Sequence, residues 1–142
     1  MSYTLDLSSL KMAVGSLERA IHVACSQEKM AMLDQDQKET IRAGVIQNFE
    51  FTYELSWKFM KRWLEHNLGS VYVDGLPRRE LFRIAAEHQL IDCVDAWIVY
   101  HDARNETSHT YDQKKAEEVF QTATRFLADA NILLSNLEKK NA

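Results

Sequence analysis

Glycine and proline are scarce in this sequence, which has four glycines and one proline among 142 residues. Average usage of the two residues together is about 12%, so this chain has few residues suited to tight turns. Sandwiches, barrels and alternating strand–helix folds all need many such turns, and the scarcity argues against them. Helices joined by a few loops remain as the expected architecture.

Cysteine is also rare. Cys25 and Cys93 have no partner at short spacing, so no zinc site or disulfide framework is predicted. Both lie among apolar residues, which predicts buried, reduced thiols. The pair His101-Asp102 resembles the metal-binding pair of some phosphohydrolases, but no further ligands lie at suitable spacings. We therefore expect neither a metal ion nor a cofactor.

Long apolar runs and excess positive charge are missing as well. No stretch approaches the ~20 apolar residues of a membrane-spanning helix. The first ten residues lack the basic and apolar regions of a signal peptide, so we expect a soluble, cytoplasmic protein. The net charge is −4, whereas proteins that hold nucleic acid by charge alone are normally basic. Any nucleic-acid role therefore requires a local patch or a brief catalytic encounter.

Apolar residues recur at helical spacing through most of the chain. The pattern predicts helices near residues 7–24, 36–67, 93–109 and 112–136, and a short helix after Pro77. The second of these has an apolar arc wide enough to contact several neighbours. We predict an all-α fold, an antiparallel four-helix up-and-down bundle with an additional short helix, as a single domain over residues 1–142. The apolar surplus on the second helix also predicts an oligomer.

The most informative polar segment is HDARNETSHTYD at positions 101–112. Asp102, Asn105 and His109 follow at spacings of three and four, so they share one face of a helix. Arg104 and His109 diverge by about 140° around an ideal helix. They can meet through the long arginine side chain, through fraying of the helix end or across a subunit interface. A solvated helix end is the alternative interpretation of the whole segment.

Two further polar groups accompany this segment. Glu50, Glu54 and Lys58 form a row on the second helix that either reaches the same cleft or is a solvated stripe. Residues 78, 79 and 83 are arginines on the short helix, where they form a solvated face or contact phosphates. A nucleophile elbow and a glycine-rich phosphate loop are both missing from the sequence.

The segment from Arg104 to Tyr111 resembles the signature of the HEPN family, in which an arginine is followed by four residues, a histidine, one residue and a tyrosine. Residues 43–58, AGVIQNFEFTYELSWK, resemble the second helix of one branch of that family. This branch comprises the nucleotidyltransferase substrate-binding subunits, now grouped with HepT-like toxins. The resemblance extends over about residues 5–138.

The resemblance implies a homodimeric helical bundle that pairs with a minimal nucleotidyltransferase protein. Two functions are open. In one, the chain is a metal-independent endoribonuclease toxin, and the partner neutralises it by binding and by transferring AMP to Tyr111. In the other, the chain is a noncatalytic substrate-binding subunit of a two-component nucleotidyltransferase, and it binds a nucleotide ligand, whereas the first function takes RNA as substrate.

The ribonuclease interpretation assigns a role to each signature residue. The imidazole of His109, with a pKa near ~6.5, suits acid–base catalysis. Arg104 would stabilise charge on the scissile phosphate, and Asn105 would orient His109 or that phosphate. Glu50, Glu54, Lys58 and Asp102 are the candidate cleft residues. A dimer would bring two such sets together.

Overall fold

The protein is described by a computed structural model over residues 4–141, and most of this range is helical. It contains seven α-helices, a 3₁₀ turn and, within the described range, no strand. In chain order the helices are α1 (Ser8–Ala24), α2 (Gln27–Ala31), α3 (Gln35–Leu68), α4 (Ser70–Val73), α5 (Arg78–Glu87), α6 (Val94–Asn105) and α7 (Gln113–Asn141). None of them is long and apolar enough to cross a membrane.

The four long helices α1, α3, α6 and α7 form the bundle, and the predicted all-α up-and-down fold is confirmed. The predicted additional short helix is α5, which packs on α3 and α6. Hydrogen-bonded pairs join neighbouring helices: Ser16 with Asn48 between α1 and α3, Arg104 with Glu54 between α6 and α3, and Tyr100 with Asp129 between α6 and α7. The end of α7 returns to the start of the chain, where the Asn141 side chain bonds both backbone groups of Leu5.

Helix α3 is central because its apolar arc packs against three other long helices. The helix begins with a capping box, in which the Asp34 carboxylate accepts from the Gln37 N–H and the Gln37 side chain accepts from the Asp34 N–H. It ends at Gly69, whose φ of 98° suits glycine and ends the helix.

Aromatic side chains fill the middle of the core. Phe49, Tyr53, Trp97 and Phe126 are all buried. The rings of Phe49 and Phe126 meet edge to face at a centroid distance of 5.2 Å, and Trp97 meets Phe126 in the same manner at 5.4 Å. This packing fixes α6 against α3 and α7, and therefore fixes the polar end of α6 relative to α3.

We expect Phe49→Ala to lower the free energy of unfolding by about 3–5 kcal/mol, because it opens a cavity in the aromatic core. The matched control is Phe51→Ala on the same helix, where the side chain is 55% exposed. We expect that control to change stability by about 0.5 kcal/mol or less. Urea denaturation of both variants checks this, and equal losses would contradict the assignment of the core face.

Several local predictions were wrong. Cys25 and Cys93 are exposed rather than buried, because they occupy the C-cap of α1 and the N-cap of α6, where the helix ends meet solvent. Ser70–Val73 is a single helical turn that the pattern did not predict, closed by a bond from the Asp74 N–H to the Ser70 carbonyl. The segment between α1 and α3 contains a further short helix, α2, that the pattern did not predict.

Candidate functional site

The α-helical part of α6 ends earlier than predicted, at Asn105 rather than near His109. Glu106–His109 continue as a 3₁₀ turn. Two threonine hydroxyls cap this change of geometry, since Thr107 donates to the Arg104 carbonyl at 2.7 Å and Thr110 donates to the Thr107 carbonyl at 3.0 Å. The tighter turn changes where His109 lies relative to Arg104, so the ideal-helix divergence does not apply.

Arg104 is held against α3 by two carboxylates. Its Nε donates to Glu54 Oε1 at 3.0 Å, and its Nη2 lies 3.7 Å from Glu50 Oε1. All three side chains are about one-third exposed, so they line a surface cleft rather than the core. The two glutamates hold the guanidinium in place and offset its charge, while the N–H groups not bonded to them stay available to a ligand.

His109 and Tyr111 form a second group beside the first. Both are exposed, and their rings meet edge to face with centroids 6.2 Å apart. Tyr111 is 85% exposed in the short connection before α7, so its side chain is not packed between helices. Within residues 4–141, no hydrogen bond or ion pair joins Arg104 to His109.

The remaining predicted site residues are more dispersed. Asn105 is exposed at the last position of α6. Asp102 faces α7 and lines a shallow cleft with Val99 and Glu118, on another side of α6 from Glu54. Lys58 is exposed, and its Nζ lies 5.8 Å from the centroid of the Trp57 ring. The structure therefore gathers Glu50 and Glu54 at Arg104 but does not bring Asp102 or Lys58 to it.

A polar cleft of about 450 Å³ opens between α3, the 3₁₀ turn and the start of α7. Glu50 both lines this cleft and contacts Arg104, so the cleft adjoins the Arg104 site, and Tyr111 is another of its lining residues. Its lining is mostly polar and comprises Glu39, Arg42, Ala43, Ile46, Gln47, Glu50, Thr107, Thr110, Tyr111, Gln113 and Ala116. Clefts of this size accommodate small ligands.

Sequence reasoning missed a hydrogen-bonded pair behind Arg104. His101 Nδ1 lies 2.8 Å from the Tyr53 hydroxyl. Burial raises the pKa of Tyr53, so this hydroxyl stays protonated. Burial, assisted by the positive charge of Arg78, lowers the pKa of His101 below its ordinary value of 6.5, so the imidazole is neutral. His101 was noted only as half of a metal-like pair, and no spacing links it to Tyr53.

The pKa of His101 predicts a pH dependence of stability. Unfolded His101 takes up a proton below about pH 6.5, whereas folded His101 resists protonation to lower pH. The unfolded state then binds more protons, so we expect the free energy of unfolding to fall as the pH drops below 6.5 toward the folded pKa. NMR titration of the histidine Cε1 protons checks the shift directly. A His101→Gln variant with an unaltered stability–pH slope would contradict the assignment.

The three arginines of α5 do not form one patch. The Arg78 guanidinium stacks on the Trp57 ring with Cζ 3.5 Å from the centroid. Arg79 pairs with Asp95 at 3.8 Å, and Arg83 pairs with Glu80 within the helix. Arg78 alone of the three turns toward the Tyr53–His101 pair. Over the described residues, no group of three or more histidine, cysteine, aspartate or glutamate side chains is arranged to hold a metal ion.

The family of the chain follows from a family model described as nucleotidyltransferase substrate binding protein like, which matches residues 5–139. The chain belongs to this family. The match covers almost the whole sequence, including α3, the polar end of α6 and Tyr111. The family prediction made from the sequence is thereby confirmed.

Known relatives carry two different descriptions. A Haemophilus influenzae protein named probable ribonuclease HepT is 36% identical over 99% of this chain and 97% of its own length. A solved structure from the same organism, described as the substrate-binding domain of a nucleotidyltransferase, is also 36% identical. It covers 94% of this chain and 99% of its own, with a TM-score of 0.90. A Thermus thermophilus structure at 23% identity and a TM-score of 0.68 shares the fold.

Proposed function

We propose that this family member is a metal-independent endoribonuclease, the toxin of a pair whose other member is a minimal nucleotidyltransferase. The observation that carries the proposal is the placement of Arg104, which Glu54 and Glu50 hold beside a 3₁₀ turn that presents an exposed His109. A positioned guanidinium and an accessible imidazole are the groups that RNA cleavage requires. The name of the Haemophilus relative supports the same reaction.

The proposed reaction uses the RNA's own nucleophile. An imidazole of His109 removes the proton of a ribose 2′-hydroxyl, and the 2′-oxygen attacks the adjacent phosphorus. The bond from phosphorus to the 5′-oxygen breaks, and that oxygen takes up a proton from an imidazolium. Arg104 stabilises the negative charge on the crowded phosphate. The products are a 2′,3′-cyclic phosphate and a 5′-hydroxyl, and no redox step or metal ion is involved.

The two proton transfers call for two histidines, and a symmetric homodimer would supply the second His109. Exposed apolar side chains such as Phe51 and Val99 on α3 and α6 are available for such an interface. We propose a dimer in which α6 takes part. Sedimentation at micromolar concentration tests it, and a monomer would contradict it.

The proposed regulation acts at Tyr111. Its exposed hydroxyl lies at the edge of the polar cleft and near His109, so it is open to modification. An AMP group added there by the nucleotidyltransferase partner brings a phosphate and a purine into the site. The phosphate would pair with Arg104 and the purine would block RNA entry. Toxin and partner would meet in the cytoplasm.

The alternative is a noncatalytic substrate-binding subunit of a two-component nucleotidyltransferase. The family description supports it, and the 450 Å³ cleft beside Glu50 is roomy enough for a nucleotide. In that case the two carboxylates at Arg104 would orient a ligand rather than prepare a catalytic guanidinium.

One experiment separates the two functions. The purified chain is incubated with single-stranded RNA in the presence of a chelator, and the 3′ ends are examined for 2′,3′-cyclic phosphate. The ribonuclease function predicts cleavage that the chelator does not affect. Intact RNA, together with binding of a nucleotide in the cleft, would favour the substrate-binding function.

A further inference from the structure

Arg78, at the start of α5, differs from Arg104, Arg79 and Arg83 in its electrostatic surroundings. Arg104 lies beside Glu50 and Glu54. The other two arginines of α5 also have acidic partners, since Arg79 pairs with Asp95 and Arg83 pairs with Glu80. Among the ion pairs of residues 4–141, none includes Arg78. In a protein of net charge −4, this guanidinium is a local positive centre.

The Arg78 side chain is also built into the structure. Its guanidinium lies over the Trp57 ring, with Cζ 3.5 Å from the ring centroid. Its Nε is shielded from solvent and has no hydrogen-bond acceptor within the described residues. A stacked, planar guanidinium keeps a fixed direction for its N–H groups, which matches the fork geometry of phosphate binding. The stacking on Trp57 thus fixes the plane of a guanidinium that forms no ion pair within residues 4–141.

Arg78 and Arg104 lie on different helices but contact residues in the same turn of α3. Glu54 bonds Arg104 through one carboxylate oxygen and the Trp57 indole N–H through the other, at 3.0 and 3.2 Å. Trp57 in turn supports Arg78. Both guanidinium charges act on the His101–Tyr53 pair that lies between α3 and α6. A continuous series of contacts, from Arg104 through Glu54 and Trp57, therefore leads to Arg78.

We propose that Arg78 binds an RNA phosphate adjacent to the scissile phosphate at Arg104. This inference rests on the proposed ribonuclease function and names a binding residue outside the HEPN signature. The scissile phosphate meets the Arg104 guanidinium, whose charge Glu50 and Glu54 partly offset, whereas the neighbouring phosphate meets the Arg78 guanidinium, which forms no ion pair within residues 4–141. Arg78 thus supplies binding energy from a non-reacting part of the substrate.

The test uses the full chain with His109→Ala, so that the RNA stays intact, and a single-stranded oligonucleotide as the probe. Adding Arg78→Gln is expected to weaken binding by about ten-fold or more, because a charge-assisted contact is lost. It should also reduce the slope of log affinity against log salt by about 0.7, the value for one phosphate of a single strand. Arg79→Gln, a neighbouring arginine paired with Asp95, is the matched control and should keep both the affinity and the slope.

A second measurement guards against misfolding of the variant. In the His109→Ala protein, the Nε–H signal of Arg78 in an NMR spectrum should shift on addition of the oligonucleotide. Arg78→Lys should keep the salt slope but lose affinity, since it preserves the charge without the planar fork. Equal effects of the Arg78 and Arg79 substitutions, or an unmoved Arg78 signal with bound RNA, would overturn the inference.

The two proposals fail in different ways. If the parent chain cuts RNA while Arg78→Gln binds it as tightly as its background does, only the role of Arg78 is wrong. If the parent neither cuts nor binds RNA, the ribonuclease function is wrong and this inference falls with it. A shift of the Arg78 signal with inorganic phosphate alone, without RNA binding, would assign Arg78 to another anion and overturn RNA as its ligand.

Discussion

His109→Ala and Arg104→Ala are each expected to lower the rate of RNA cleavage by about 10²-fold or more, in line with the loss of an acid–base group or of a phosphate-stabilising donor. His109 is exposed on its 3₁₀ turn, so its removal should leave the bundle intact. Arg104→Ala leaves Glu50 and Glu54 without their cation, so its thermal unfolding must be measured beside its activity. Single-turnover cleavage of a labelled RNA gives the rates.

The matched control for the histidine is His22→Ala, an exposed histidine on α1. This variant should cut RNA at the parental rate. That result would show that losing an imidazole elsewhere on the surface does not lower the cleavage rate. Parental rates for both His109→Ala and Arg104→Ala would show that the activity arises elsewhere or from a contaminant. A loss restricted to Arg104→Ala with a lowered unfolding temperature would point to damage of the α3–α6 contact.

Tyr111→Phe is expected to abolish AMP transfer by the partner and to release the ribonuclease from neutralisation. The substitution removes the acceptor hydroxyl and keeps the ring, so the contact with His109 should survive. Co-expression with the nucleotidyltransferase followed by intact-mass measurement reads the modification. The parent should gain the mass of AMP, and the variant should not.

Tyr72→Phe is the control for this experiment, because Tyr72 is 71% exposed but lies on α4, between the ends of α3 and α5. It should be modified and neutralised like the parent. An unmodified parent that the partner nevertheless inhibits would mean that the partner acts by covering the site. Modification of Tyr111→Phe would place the acceptor on another side chain.

The long helices were predictable because each buries a stripe that recurs at helical spacing. The apolar spacing of α1 and the apolar arc of α3 place Leu10, Leu17 and Phe49 in the core, where they are fully buried. The short helices α2 and α4 were not predicted because tertiary contacts override the secondary-structure propensity of a few residues. Residues 71–73, with two valines and a tyrosine, favour strand by propensity. The turn that begins at Gly69 instead folds them into a helix, with Val73 buried.

The site was predictable only where its residues are close in sequence. Arg104, His109 and Tyr111 lie within one short segment, and their signature could be read directly. The contact of Arg104 with Glu54 spans 50 residues, so spacing could suggest but not establish it. The pair formed by Tyr53 and His101 spans 48 residues. Nothing local distinguishes Arg78 from its neighbours until the tertiary fold places Trp57 beneath it.

The shared carboxylates at Arg104 also have an evolutionary consequence. A relative that loses the arginine alone would keep two partly buried carboxylates without their cation. Removing one partner of a buried ion pair is more damaging than replacing the whole pair. Under the proposed function, positions 50, 54 and 104 should therefore change together in relatives that bind RNA without cutting it. Members with all three residues would retain the chemistry. Members in which neutral residues replace all three would mark the lineages that kept the fold only to hold a ligand.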